Sequence, residues 1–107
     1  LRSVPDIYVI GQLTGLEGYV PAIMSGVLVA ESVAASLSGE TAEVLPAETM
    51  CGALVRHITD TSIKDFQPMT ASFGLLPPLT ERIKDKQERG QAHATRALQA
   101  YKEYIGE

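Results

Sequence analysis

Tryptophan is absent from the 107 residues, and Cys51 is the only cysteine. One cysteine cannot build a disulfide framework within the chain, which fits a reducing compartment. The two histidines, His57 and His93, stand too far apart and too poorly accompanied to read as metal ligands, so no metal site is expected. Basic residues are also scarce: nine Lys and Arg face thirteen Asp and Glu, for a net charge of −4. That balance argues against a dedicated nucleic-acid-binding domain. No signal peptide is expected, because Arg2 precedes only the short apolar run Ile7–Ile10 and not an h-region of about seven or more residues. Internal repeats and low-complexity segments are lacking as well.

What remains is ordinary for a soluble domain, with 45% hydrophobic and 21% charged residues. The distribution is less ordinary. Apolar residues concentrate before residue 60. Residues 1–79 carry three bases against eight acids, whereas residues 80–107 carry six against five. The acidic balance therefore leaves room for a local phosphate contact near the end.

Asp6 to Ile10 is β-branched and aromatic, and follows Pro5; it predicts a buried strand. Gly11, Gly15 and Gly18 punctuate a tight connection. A long helix is expected from about Glu17–Pro21 to Leu37, with Pro21 in its first turn and Gly39 just past its end. Ile23, Val27, Ala30, Ala34 and Leu37 would form its inner stripe. Tyr19 to Leu37 has near-spanning length and one charge, Glu31. Its Ala, Ser, Gly and Pro content favours a helix buried in protein over a membrane span. A second helix is expected over about 47–59, with Pro46 near its start and Met50, Leu54 and Ile58 on one face. Residues 60–79 predict an irregular ordered stretch. A third helix should start near Thr80, with Ile83, Ala94, Ala97, Leu98, Tyr101 and Ile105 on its apolar face. Gly90 interrupts it at ~1 kcal/mol relative to Ala.

A strand that runs through glycines into a helix leaves backbone N–H groups pointing forward, at the positive end of the helix dipole. That place suits a phosphate or the electron-rich edge of a flavin. The spacing Gly-x-x-x-Gly-x-x-Gly is not the dinucleotide fingerprint Gly-x-Gly-x-x-Gly. Spacing alone thus leaves an ordinary strand-to-helix turn as an equal reading.

The residues carry more than the spacing. Gly11-Gln12-Leu13-Thr14-Gly15-Leu16-Glu17-Gly18-Tyr19 resembles the C-terminal flavin-facing motif of two related groups of tRNA-modifying flavoproteins. Thr14 and the pair Leu16-Glu17 look like the folate- and FAD-dependent tRNA uracil-5 methyltransferases. They differ from the enzymes that install carboxymethylaminomethyl groups on wobble uridine. Glu48-Thr49 with Gly52-Ala53-Leu54 and Ile58-Thr59, Asp65-Phe66-Gln67-Pro68-Met69, and Phe73-Gly74-Leu75-Leu76-Pro77-Pro78-Leu79 are similar to the same family, in its order, from Val4 to about Leu98. Pro21, Met24, Glu31 and Gly90-Gln91 depart from its usual residues.

The resemblance implies an α/β fragment. Residues 1–45 would supply a strand, glycine turn and long helix of an FAD-binding Rossmann-type domain. Residues 46–107 would form a mostly helical C-terminal extension packed on it. The fingerprint strand, the inserted domain and the catalytic cysteines of the family would lie upstream, leaving no catalytic residue in this chain. The cofactors implied are FAD, 5,10-methylenetetrahydrofolate as methylene donor and NAD(P)H as reductant. The substrate implied is tRNA, methylated at C5 of the T-loop uridine in the cytoplasm. By motif match, Gly11, Gln12, Thr14 and Gly15 would lie against the flavin, and Glu17 and Tyr19 on the folate side. A carboxylate can accept from a pterin, and an aromatic ring offers a stacking face. Helix capping by Glu17 and simple packing of Tyr19 are the alternatives.

Arg82, Lys84, Lys86 and Arg89 are candidates for the tRNA backbone, against a solvated face paired with Glu81, Asp85 and Glu88. Arg56-His57 is a weaker candidate for tRNA or the folate tail. Cys51 reads as a buried thiol on a helix, not as a nucleophile. His57 and His93 read as surface or helix-face residues. The competing functions are the wobble-uridine enzyme and a non-catalytic interaction module. Without its upstream part the chain is expected to bind no FAD, and its apolar helix is expected to favour self-association.

Overall fold

The computed structural model describes all residues, 1–107. Three helices carry the fold: α1 (Tyr19–Leu37), α2 (Met50–Thr59) and α3 (Lys86–Tyr104), with 3-10 turns at Gly11–Thr14 and Phe73–Leu75. The chain forms two compact units, one of residues 1–43 and 61–70, the other of residues 44–60 and 71–107.

The expected α/β character is not found: there is no sheet, and the β contribution is one parallel bridge, Leu16 with Met69. The backbone at Ile10 is extended as its β-branched residue prefers (φ −128°, ψ 165°). Extension alone does not make a strand, because a ladder needs a neighbour to take its N–H and C=O groups. No strand lies beside Ile7–Ile10. Ile7 N–H instead donates back to Val4 O at 3.0 Å. Ile7 and Ile10 are half exposed, so the segment is not buried either.

In the first unit, Leu16 is the buried centre, at 1% exposure. Burying a leucine contributes roughly 1.5–3 kcal/mol. The bridge holds it: Met69 N–H donates to Gly15 O at 2.8 Å, and Glu17 N–H to Met69 O at 2.9 Å. α1 begins after Gly18 and ends in a Schellman motif. Gly39 (φ +75°) donates to Ser36 O at 3.1 Å, and Glu40 donates to Ala35 O at 2.8 Å. The face of α1 that packs holds Pro21 and Ser25. The stripe expected to point inward is therefore outward: Ile23, Val27, Ala30, Ala34 and Leu37 are all exposed. Apolar spacing marked a helical face correctly, but its partner is not within this unit. By length and composition α1 could cross a membrane.

In the second unit, α2 starts at Met50 rather than near Ala47. Thr49 is its cap, accepting from Gly52 N–H at 3.0 Å and donating to Pro46 O at 2.7 Å. A Cβ at Gly52 would run into the Pro46 carbonyl, and would lie 2.8 Å from that of Leu45. Gly52 thus allows the incoming chain to pass close across the helix. Ala53, Leu54 and Leu76 are the buried apolar residues here. α3 starts at Lys86, capped by Asp85 through Glu88 N–H at 2.8 Å; Thr80 caps nothing. It ends in a second Schellman motif at Gly106 (φ +81°), with Glu107 donating to Lys102 O at 2.8 Å. Leu98, Tyr101 and Ile105, expected on its packed face, are largely exposed.

Candidate functional site

The glycine turn is built by left-handed backbone at Gly11 (φ +73°), Gly15 (φ +96°) and Gly18 (φ +98°). Residues with a Cβ rarely adopt these angles. Between them, Thr14 Oγ1 donates to Gly11 O at 2.6 Å, and Gly15 N–H donates to Gln12 O at 3.0 Å. Ser25, buried on α1, fastens the turn to the helix. Its hydroxyl accepts from Gly11 N–H at 2.8 Å and donates to Ala22 O at 2.6 Å. Phe66 closes the other side, since a Cβ at Gly15 would collide with its ring.

The six residues singled out by the resemblance are thus brought into one turn and the first turn of α1. Their roles differ. The N–H groups of Gly11 and Gly15 already have internal acceptors. Gly11 faces open space, with nothing within 4 Å of where a Cβ would stand. Gln12 is exposed. Glu17 is exposed too, and it does not cap α1, because the N-cap is Gly18 and no side chain accepts there. Tyr19 is 89% exposed and packs against nothing. The helix start therefore offers the N–H groups of Tyr19 and Val20, which have no intrahelical acceptor, beside exposed polar and aromatic side chains. This donor set fits an electron-rich ring edge or an anion.

Ser25, Phe66 and Met69 support the turn and are not among the expected site residues. Ser25 was legible as a hydroxyl inside an apolar helix. Phe66 and Met69 lay within a resembling block whose contact with the turn spacing could not reveal.

At the other end, Arg82, Lys84 and Arg89 line one open cleft, while Lys86 stands outside its lining. Arg82 and Lys84 make no hydrogen bond to the protein. Arg89 makes a long one, 3.4 Å to Ile83 O. His93, expected at the surface, is buried. Its ring stacks on Phe73 with centroids 5.3 Å apart and planes 11° from parallel, and Arg96 lies 3.3 Å from its Nδ1. Burial, followed by the charges of Arg96 and Arg89, lowers its pKa below the usual 6.5. Arg96 also donates to Pro77 O at 2.6 Å and Pro78 O at 2.9 Å, holding the proline block to α3. In α2, burial raises the Cys51 pKa above 9.0, outweighing a backbone hydrogen bond. A protonated, half-buried thiol suits packing, not nucleophilic attack.

The fold and turn define a helical segment that presents a glycine turn at an uncapped helix start. No family model matches the chain. Curated proteins named methylenetetrahydrofolate--tRNA-(uracil-5-)-methyltransferase TrmFO do match: that of Bacillus cytotoxicus is 47% identical over 100 residues, 94% of this chain and 23% of that protein. Those of Bacillus mycoides and Bacillus cereus are 46% and 45% identical over the same share. The family resemblance read in the sequence is borne out, and the chain spans about a quarter of the length of these relatives.

Proposed function

We propose that the chain is the C-terminal part of a cytoplasmic enzyme that methylates C5 of uridine in the tRNA T loop. The full-length protein would use FAD, methylenetetrahydrofolate and NAD(P)H. The observation that carries this reading is the match over 94% of the chain, which includes the whole glycine turn. When bound, the flavin would supply the reduction and one-carbon transfer, with the protein positioning and tuning it.

This chain's residues then have distinct tasks. The first N–H groups of α1 and the side chain of Gln12 would face the flavin edge. Gly11, which faces open space, would let its ring approach, Gly15 would seat the turn against Phe66, and Thr14 would hold the turn closed. Glu17 would accept from the pterin and Tyr19 would stack on it. Arg82, Lys84, Lys86 and Arg89 would meet tRNA phosphates. The exposed stripe of α1 would be covered by the remainder of the longer protein, which also completes the cofactor site.

A spectroscopic comparison tests this division of labour. The 107-residue chain should stay colourless after incubation with FAD. A chimera carrying it in place of the matching segment of the Bacillus cytotoxicus protein should purify yellow. Stoichiometric flavin on the chain alone, or a folded chimera without flavin, would contradict the proposal.

A further inference from the structure

The cleft of the second unit has features that phosphate contact alone does not use. It is open, about 680 Å³, within the roughly 300–1,000 Å³ of small-ligand sites. Phe73 and His93 line it as a stacked pair. His93 is the buried partner, anchored by Arg96, so it fixes the phenylalanine ring from behind. Phe73 itself is 57% exposed, although a large apolar ring is normally covered. Arg82, Lys84 and Arg89 line the same cleft, with Glu81 as its one acidic residue. Three basic residues lining one cleft with an aromatic ring are a local reversal in a chain of net charge −4.

We propose that this cleft takes one unpaired nucleotide of an RNA strand, the base stacked on Phe73 and the flanking phosphates on Arg82, Lys84 and Arg89. The proposal rests on the reading of the chain as part of a tRNA-modifying enzyme. An aromatic face beside cations is the chemistry of single-strand binding, where any base offers a π-face and cations track the backbone. A paired base inside a duplex has no such face free. Arg presents a planar fork of donors that phosphate oxygens can accept bidentately.

The test uses a short fluorescein-labelled single-stranded oligoribonucleotide and the matching duplex, titrated into the 107-residue chain by fluorescence anisotropy at several salt concentrations. The chain should prefer the single strand. Phe73→Leu should weaken that binding roughly tenfold, as for the loss of one stacked base, and Phe73→Trp should retain it. The triple variant Arg82→Ala, Lys84→Ala, Arg89→Ala should reduce the log–log salt slope by about 2, whereas Lys102→Ala, outside the cleft lining, should leave it unchanged. Circular dichroism verifies that each variant keeps its helices. In the chimera, Phe73→Leu should raise KM for tRNA at near-constant kcat. Equal binding by Phe73→Leu and the parent chain, preference for duplex, or no binding by a folded chain would overturn the proposal. Single-strand binding that persists alongside a chimera unable to modify tRNA would sink the functional reading and leave this one standing.

Discussion

Gly15 and Gly90 are both glycines inside ordered structure, and they answer to different physics. At Gly15 the backbone is left-handed and the Phe66 ring fills the space where a Cβ would stand. Gly15→Ala should therefore cost about 2–4 kcal/mol, combining left-handed strain with overpacking. Chemical denaturation of the parent and variant chains measures it. At Gly90 the backbone is helical, and a Cβ would meet Phe73 at an ordinary 3.7 Å. Gly90→Ala should stabilise the chain by about 0.5–1 kcal/mol through helix propensity alone. His93 gives a third prediction. Its folded pKa lies below the usual 6.5, so the stability it contributes is present above pH 6.5 and is lost as pH falls through the folded pKa. Thermal melts between pH 7 and 5 should show this loss, and His93→Gln should flatten that part of the profile.

At the scale of elements, local signals were readable and partners were not. Three closely spaced glycines predict a tight connection, and Gly39 predicts a helix end; both are found, the first as a turn with left-handed backbone at all three glycines. Gly106 closes α3 in the same way. Asp85, not the expected Thr80, caps α3, because its carboxylate accepts from Glu88 N–H. The strand at Asp6–Ile10 failed for a different reason: β-branched residues set an extended backbone, but pairing depends on a neighbour that local sequence does not name. The stripe on α1 failed likewise. Ile23 and Val27 remain 68% and 54% exposed. This predicts concentration-dependent self-association of the isolated chain by sedimentation. Val27→Glu should shift it toward monomer, and a monomeric parent chain at high concentration would contradict that expectation.

For the molecule as a whole, the site was more legible than the fold. The residues Gly11 to Tyr19 stand out through their resemblance to the family motif, and the turn they form rests mostly on local backbone angles and short-range hydrogen bonds. The cleft was half legible. Arg82, Lys84 and Arg89 were named from charge, but Phe73 and His93 come to them only through the packing of α3 against the proline block. Both places share a logic, in which neighbouring side chains hold the presented group. Ser25 and Phe66 fix the glycine turn, and His93 and Arg96 fix Phe73. Under the proposed function both would position cofactor and substrate, with the reaction chemistry carried by the rest of the longer protein.

The most direct measurement is the nucleoside content of unmodified tRNA after incubation with the Bacillus cytotoxicus chimera, methylenetetrahydrofolate, FAD and NADPH, read by mass spectrometry. The account predicts 5-methyluridine at the T loop and unchanged wobble uridine. A flavin-loaded chimera that leaves the T-loop uridine unmethylated, or that modifies the wobble position instead, would contradict it.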